Sequence, residues 1–255
     1  MTEEGKYPEV IFSGTYPNAR QFRDIIELLS TVKEEILFSL NPESIDVLDI
    51  AVVKSPLIDF SLSKNAFHEY TLYTEPIQVA FNIETLRKWL SKTTESDLLN
   101  ITFQKTKAIF MRDGGRRKLD DIPYVESKRI KQLNLPELPC SFKISTNKFS
   151  EIISDVSIGD FVTFNATESG IQFASVDGAR SSIDILWNSE EGISVEKKTQ
   201  ASARYPVSQI TSVLEKLKSL IPEISVRFGN NLPLFISGET RQYKLNNYVI
   251  AMRIP

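Results

Sequence analysis

The second half of this 255-residue sequence repeats the pattern of its first half, and this repeat constrains the fold more than any other feature. Residues 21–29 and 148–156 carry the same apolar pattern, in which Phe22 corresponds to Phe149. Further pairs of segments follow in the same order about half a chain apart, and they match Phe38 with Phe164, Leu90 with Leu214 and Phe103 with Phe228. Repetition at one spacing indicates two copies of a single structural unit.

Each half alternates helical and strand-like segments. Apolar residues at helical spacing predict helices whose buried faces are Phe22, Ile25, Ile26 and Leu29, then Ile83, Leu86 and Leu90, then Phe149, Ile152, Ile153 and Val156, then Val207, Ile210, Leu214 and Leu217. Short β-rich runs such as IDVLDI and FVTFNA lie between these helices. The order of helix, strands, helix and strands, found twice, predicts an α+β protein with two similar domains, each with two helices packed on antiparallel sheets.

A charged segment joins the two halves. Residues 112–139 contain three prolines and no sustained hydrophobic period, which is typical of a linker that crosses the protein surface. We therefore predict a first domain over 1–118, an interdomain connector over 119–137 and a second domain over 138–255. Each domain has a size that can support one hydrophobic core.

Composition restricts the setting in which the chain works. A single cysteine, Cys140, excludes an internal disulfide and suits a reducing interior. The longest apolar runs, such as 248–252, are far shorter than the roughly 20 residues that a membrane helix needs. The acidic N-terminal segment MTEEGKYPEV lacks the apolar core of a signal peptide. We expect a soluble intracellular protein with no membrane partner.

Several short motifs resemble one protein family. The segment 132–139, QLNLPELP, resembles the interdomain connector of the DNA sliding clamps of the proliferating cell nuclear antigen family, especially its archaeal members. Residues 157–160, 231–234 and 248–254 resemble the same family in the same order, so the resemblance spans nearly the whole chain. On these residues the chain is identified as similar to an archaeal-type sliding clamp.

The resemblance implies the DNA-clamp, or processivity, fold and a scaffold without catalysis. It implies a ring of three subunits that encircles double-stranded DNA independently of sequence and acts as a polymerase processivity factor in replication and repair. The implied partners are other clamp subunits, DNA polymerase, flap endonuclease, DNA ligase and an ATP-driven clamp loader. The implied location is the cytoplasm, at the nucleoid, for an archaeal protein, and the nucleus for a eukaryotic one. A non-replicative ring subunit of the checkpoint or repair type is the alternative.

Basic residues on the outward helix faces are the predicted DNA contacts, although the whole chain has a net charge of −3. The resemblance matches Arg23, Lys88 and Arg204 to basic positions of related clamps. Glu151 and Ser154 stand on the third helix where relatives carry arginines. The predicted phosphate contacts are Arg20, Arg23, Arg87, Lys88, Lys92, Lys148, Arg204 and Lys216. A solvated helix face is the alternative explanation of these charges.

The resemblance also implies an apolar groove that receives short partner peptides. Its predicted residues are Ile50, Leu133, Leu135, Pro136, Pro233, Ile250 and Ala251. Ile50-Ala51 stands where most relatives carry Met-Asp, and Ser55 replaces a usual apolar residue, so we expect a different peptide preference. Burial in a core is the alternative for Ile50 and Ile250, whereas the connector leucines are expected on the surface.

Two edge strands are the predicted subunit contacts. The family's rings close when the first-domain edge of one subunit pairs with the second-domain edge of the next, and the matching segments here are Thr106–Met111 and Ala179–Ile185. The predicted interface residues are Ile109, Phe110, Met111, Arg180, Ser182 and Ile183. Because basic residues follow the first segment and Arg180 flanks the second, we hypothesise that this subunit prefers unlike clamp subunits and forms a heterotrimer.

The sequence predicts no catalytic, metal or cofactor site. His68 is the only histidine and has no metal-ligand spacing around it, and Cys140 has no nearby histidine and is expected to be a buried structural thiol. The segment 113–116 lacks the spacing of a phosphate-binding loop and is better explained by a hairpin turn. An enzyme on a duplicated β-rich scaffold is the competing class, and a metal or nucleotide retained through purification would indicate it.

Overall fold

The computed structural model describes residues 10–51, 55–105, 107–112, 117–123, 125–126, 136–168, 170–177, 181–187, 193–197 and 200–252. The chain divides into two compact units. Unit 1 takes its residues from 1–49, 60–130 and 241–244, and unit 2 takes its residues from 50–59, 131–240 and 245–255.

The first half of the chain alternates strands and helices. Its elements are β1 (Val10–Tyr16), α1 (Ala19–Ser30), β2 (Glu35–Leu40), β3 (Ser44–Ile50), β4 (Leu57–Ser63), a 3-10 turn (Lys64–Ala66), β5 (Glu69–Leu72), β6 (Ile77–Asn82), α2 (Glu84–Leu90), β7 (Leu99–Gln104), β8 (Lys107–Arg112), β9 (Arg117–Pro123) and β10 (Val125–Glu126). One antiparallel sheet has the order β5-β1-β7-β8-β9, and a second run of strands has the order β10-β6-β2-β3-β4.

The second half follows the same plan. Its elements are β11 (Cys140–Ser145), α3 (Thr146–Val156), β12 (Phe161–Ala166), β13 (Ile171–Asp177), β14 (Ser181–Trp187), β15 (Ser194–Lys197), β16 (Ala201–Pro206), α4 (Val207–Leu217), β17 (Glu223–Phe228), β18 (Leu234–Glu239) and β19 (Tyr243–Ile250). One antiparallel sheet has the order β14-β13-β12-β16, and a second run of strands has the order β19-β18-β17-β11-β15.

The helices bury the faces that the sequence predicts, with one exception. In α1, α2, α3 and α4 the predicted apolar residues are buried, except that Val207, the first residue of α4, is only half-buried. The start of α1 is fixed by Asn18, whose Oδ1 accepts a hydrogen bond from the backbone N of Gln21 at 2.9 Å. The described helices include none that is long and apolar enough to span a membrane.

The repeated phenylalanines form the cores of the two units. In unit 2 Phe164 is fully buried, and its ring centre lies 4.9 Å from that of Phe173 and 5.7 Å from that of Phe228. In unit 1 Phe38 stacks on Phe81 at 4.8 Å between ring centres. The matched residues Phe38 and Phe164 therefore both belong to the core between helices and sheets.

The predicted edge strand of the first half is wrong. The segment Thr106–Met111 was expected to be an unpaired edge, yet β8 pairs with β7 on one side and with β9 on the other. The outermost strand is β9, which lies inside the segment predicted to be a linker. The edge of this sheet is therefore β9, Arg117–Pro123. In unit 2, β14 is an edge strand of its sheet.

Candidate functional site

The exposed face of α1 carries two of the predicted DNA contacts, and both have carboxylate partners. Arg20 Nη1 lies 2.8 Å from Glu95 Oε1. Arg23 Nη2 lies 3.0 Å from Asp24 Oδ1, and its Nε lies 3.5 Å from Glu27 Oε1. Two arginines thus lie beside three carboxylates, so α1 carries no net positive charge of its own.

The neighbouring helix α2 adds three more basic residues. Lys88 Nζ lies 2.6 Å from Glu84 Oε1, and this hydrogen bond lowers the pKa of the Glu84 carboxyl. Arg87 Nη1 donates to Ser30 Oγ at 3.4 Å, so this side chain turns towards α1. Lys92 follows the helix and is exposed, without a carboxylate partner among the described residues. The predicted contacts Arg20, Arg23, Arg87, Lys88 and Lys92 therefore lie on or directly after two helices of unit 1 that contact each other.

In unit 2 the predicted DNA contacts are spread over three elements. Lys148 on α3 and Lys216 on α4 are half-buried. Arg204 on β16 is exposed, and its guanidinium carbon lies 4.6 Å from the centre of the Phe161 ring. This contact orients the Arg204 side chain without neutralising its charge.

The face of α3 is more acidic than that of α1 and α2. Glu151 and Asp155 are exposed and lie one helical turn apart. Ser154 between them is also exposed. Glu151 and Ser154, which stand where related clamps carry arginines, therefore lie at the surface. There they change what the helix can bind.

The residues predicted for the partner-peptide groove differ in exposure. Ile50 and Pro233 are half-buried, Pro136 and Ala251 are exposed, and Ile250 is completely buried. Leu133 and Leu135 lie outside the described residues. Burial makes Ile250 a core residue of unit 2 that can support a groove without contacting a peptide through its side chain.

A cavity of about 650 Å³ lies in unit 2 beside Ala251. Its lining includes Ser55, Gly159, Phe161, Pro206, Gln209 and Ala251. Ser55 Oγ accepts a hydrogen bond from the Ala251 backbone N at 2.9 Å, which joins the two segments at its mouth. Gln209 also belongs to the lining, and its Oε1 is buried without a hydrogen-bond partner in the described part of the chain.

Sequence reasoning missed most of this cavity. Gly159 was noted only as part of a family motif, and its structural reason is steric: a Cβ there would lie 2.3 Å from the Val176 carbonyl oxygen. Phe161 and Gln209 gave no local signal, because their convergence depends on how β12 and α4 pack. The serine at position 55 was the one visible clue to a more polar surface.

The predicted subunit contacts separate into two groups. Ile109 and Phe110 are buried on the inner strand β8, and Met111 is half-buried there, so these three residues do not lie on a free edge. Ser182 and Ile183 lie on β14, an edge strand of its sheet. Arg180 lies outside the described residues. The hypothesis of unlike subunits stays a prediction, because Arg117 and Lys118 of the basic run lie on the edge strand β9.

The residues considered for catalysis have different surroundings. His68 is exposed, and Cys140 is completely buried at the start of β11, as predicted for a structural thiol. The described residues contain no group of three or more His, Cys, Asp or Glu side chains placed to hold a metal ion. The segment 113–116 lies outside the described residues.

Comparison with known proteins identifies the class to which this arrangement belongs. The chain is 25% identical over 238 residues to DNA polymerase sliding clamp 2 of Sulfurisphaera tokodaii, which covers 90% of this chain and 94% of the relative. It is 24% identical over 254 residues to the DNA polymerase sliding clamp of Thermococcus onnurineus, covering 96% of this chain and 98% of the relative. A search with models of protein families finds no match.

Solved structures share the fold. The A. fulgidus PCNA bound to the C-terminal region of FEN-1 has a TM-score of 0.85 at 14% identity, covering 96% of this chain and 99% of that one. A PCNA2–PCNA3 complex from Sulfolobus tokodaii has a TM-score of 0.83 at 21% identity, covering 94% and 99%. The fold is thus that of a DNA sliding clamp, as predicted. The relatives support a sliding clamp of the proliferating cell nuclear antigen family, archaeal type, and this prediction from the sequence is confirmed.

Proposed function

We propose that this chain is one subunit of a three-membered ring that encircles duplex DNA, acts as a polymerase processivity factor and docks replication and repair enzymes. The observation that carries the proposal is the repeated unit: two helices packed on antiparallel sheets, twice in one chain, in the fold of known sliding clamps. Its relatives are named DNA polymerase sliding clamps, which supports a clamp function without catalysis.

The DNA-facing surface of the proposed ring is formed by the helices. The basic residues of α1 and α2 lie on two helices in contact with each other, and several are paired with nearby carboxylates. Phosphate contacts of this kind are independent of base sequence and weaken with salt, as sliding along DNA requires. The acidic positions of α3 fit a sparse lining in which unit 1 supplies most of the attraction.

Ring closure is proposed to use the edges β9 and β14. Each strand is hydrogen-bonded on one side, to β8 and to β13, and lies last in its sheet among the described residues. A strand edge without a neighbour in the described part of the chain can pair with another chain. The partner in the ring is a second copy or, as in the S. tokodaii PCNA2–PCNA3 complex, a different clamp subunit.

Docking is proposed to occur beside Ala251, with DNA polymerase, flap endonuclease, DNA ligase and clamp loader as the partners. The cavity at that position is lined by aromatic, apolar and polar residues, among them Phe161, Pro206 and Ser208. Such a mixture suits a short peptide that places both apolar and N–H groups. The A. fulgidus PCNA binds a FEN-1 tail, which supports docking of a flap endonuclease tail on this chain.

The alternative is a non-replicative ring subunit of the checkpoint or repair type. Primer extension on a long single-stranded template separates the two. With an archaeal replicative polymerase and its loader, a replicative clamp lengthens the products at limiting polymerase, while the number of primers extended stays the same. Unchanged product lengths, with the chain bound to the template, would favour the alternative.

The proposed location follows from the proposed substrate. A clamp works where chromosomal DNA is accessible, which is the nucleoid region of the cytoplasm in an archaeon and the nucleus in a eukaryote. Imaging of a fluorescently tagged chain during replication checks this proposal: it predicts foci that overlap the sites of new DNA synthesis.

A further inference from the structure

Residues 229–233 form the turn between β17 and β18, and hydrogen bonds attach this β17–β18 turn to β16. Asn230 Oδ1 accepts a hydrogen bond from the Ser202 backbone N at 2.7 Å, and the Asn231 backbone N donates to Ser202 O at 3.2 Å. Ser202 lies on β16, which is the last strand of its sheet in the described part of the chain. The turn therefore bonds to both backbone groups of Ser202, as a neighbouring strand would.

The β17–β18 turn has a further attachment and a conformation that suits its sequence. Tyr205 on β16 is completely buried, and its hydroxyl donates to Leu232 O at 2.8 Å. Asn231 has a φ of 51°, in the left-handed region that asparagine adopts more readily than most residues. The Leu232 backbone N donates to Gly229 O at 3.1 Å, which closes the turn. These bonds hold the turn in one conformation.

The β17–β18 turn also packs against the segment that follows the predicted connector. A Cβ on Gly229 would lie 2.7 Å from Pro139 Cδ and 2.9 Å from Leu232 Cδ1, so this close approach requires glycine. Pro233, the last residue of the turn, is half-buried, and Pro136, three residues before Pro139, is exposed. Two of the predicted groove residues, Pro136 and Pro233, thus belong to segments that pack on each other.

We propose that Asn230 is a positioning residue for partner peptides: through its bond to Ser202 it fixes Pro233 as a wall of the docking groove. The inference rests on the proposed docking of partner peptides. Because Asn230 Oδ1 is already bonded to the Ser202 backbone, the side chain acts on a peptide through Pro233. A wall that is fixed before the peptide arrives loses little conformational entropy on binding, and this raises the affinity.

Peptide affinity and thermal stability, both measured on the full chain, test this role. The probe is a fluorescent peptide copied from the C-terminal region of FEN-1, the segment bound in the A. fulgidus PCNA structure. Asn230→Ala removes the acceptor, and we expect the affinity for the probe to fall about fivefold. Asn230→Asp keeps an acceptor oxygen on a side chain of the same length and should bind the probe as the wild type does.

A second pair of variants separates positioning from direct contact with the peptide. Pro233→Ala should also weaken binding of the probe. Combining it with Asn230→Ala should cause little further loss, because both substitutions act on the same wall of the groove. Losses that add in the double variant would show that Asn230 touches the peptide itself and would overturn the positioning role.

Asn82→Ala is the matched control in unit 1. Asn82 is exposed, and its Oδ1 accepts a hydrogen bond from the Glu84 backbone N at 2.8 Å, so this variant loses a bond of the same kind. It should resemble Asn230→Ala in melting temperature and keep the wild-type affinity for the probe. Wild-type affinity in Asn230→Ala, or a loss in Asn230→Asp as large as in Asn230→Ala, would overturn this inference and leave the proposed docking intact. A wild-type chain that does not bind the probe would contradict the proposed docking and, with it, this inference.

Discussion

Arg204 and Phe161 link two surfaces of unit 2: the guanidinium carbon lies 4.6 Å from the centre of an aromatic ring that also lines the cavity beside Ala251. Arg204 on β16 is a predicted DNA contact, and Phe161 begins the neighbouring strand β12. The contact between β16 and β12 therefore joins a basic side chain on one strand to a residue of the cavity lining on the other. The surfaces proposed for DNA and for partner peptides are thus built on the same two strands.

Basic residues with and without carboxylate partners should differ in their effect on DNA binding. Replacing Lys92 and Arg204 with Ala is expected to lower DNA affinity and to reduce the slope of log K against log salt by about two, because two phosphate contacts are lost. Replacing Arg23 and Lys88 should have a smaller effect, because Asp24, Glu27 and Glu84 already offset their charges. Fluorescence anisotropy with a short duplex at several salt concentrations gives both slopes. Equal slopes for the two double variants would contradict this assignment.

The cavity prediction concerns the exposed Ala251. Ala251→Arg puts a long charged side chain at the mouth of the cavity, and we expect the affinity for a fluorescent clamp-binding peptide to fall about tenfold or more. The melting temperature should hardly change, since surface substitutions are usually within about 0.5 kcal/mol. Gln200→Arg, at another exposed position of unit 2, is the control. Normal peptide binding by Ala251→Arg would place the docking site elsewhere.

A pair of tyrosines should make the stability of the chain sensitive to alkaline pH. The hydroxyl oxygens of Tyr16 and Tyr243 are 2.5 Å apart. Burial and the neighbouring Tyr243 raise the pKa of Tyr16 above its usual range, and burial raises the pKa of Tyr243 to about 12. Unfolded tyrosine titrates near pH 10, so above about pH 10 the unfolded chain releases protons that the folded chain keeps, and stability falls as pH rises.

Thermal melts from neutral to alkaline pH check this prediction. The melting temperature of the wild type should decline more steeply above about pH 10 than that of a Tyr16→Phe, Tyr243→Phe double variant, which has lost two of the titrating groups. Tyr73→Phe changes an exposed tyrosine and should keep the wild-type slope. Parallel curves for the double variant and the wild type would show that this pair does not control the alkaline transition.

Truncation of Phe164, a core residue of unit 2 with several aromatic neighbours, should strongly lower the stability of the chain. Its ring lies 6.1 Å from Phe149, 4.9 Å from Phe173 and 5.2 Å from Tyr205, measured between ring centres. Phe164→Ala is expected to lower the unfolding free energy by about 4 kcal/mol through the cavity it leaves. Val176→Ala, at an exposed position, should change it by less than about 0.5 kcal/mol. Chemical denaturation followed by fluorescence measures both.

Local sequence patterns predict the helices well, but they do not predict which strands pair in a sheet. The buried faces of α1 and α3 follow from the spacing of Phe22 and Phe149, because helical periodicity depends on neighbours in sequence. The edge strand was misassigned because the segments of β8 and β9 are both compatible with a strand. Which of them lies outermost is decided by the hairpin between them. A charged, proline-containing segment also looks like a linker even where part of it extends a sheet.

The candidate sites divide in the same way. Basic residues on helix faces can be found from the sequence, since an outward position on a helix is exposed wherever the helix packs. The ion pair of Lys88 with Glu84 can be predicted from the sequence, because the two residues are one helical turn apart. The ion pair of Arg20 with Glu95 cannot, because the two residues come together only through the fold. The stack of Arg112 on Trp89 likewise joins a strand and a helix that are distant in sequence.

The central claim is that subunits of this kind enclose DNA, and retention on circular DNA tests it most directly. The chain is loaded onto a nicked circular plasmid with a clamp loader, separated from free protein by gel filtration, and the plasmid is then cut once. A ring that encircles DNA stays with the circle in salt that removes phosphate-bound protein, and it is lost when a free end appears. Equal retention on the intact and the cut plasmid would show binding to the DNA surface and would contradict the account.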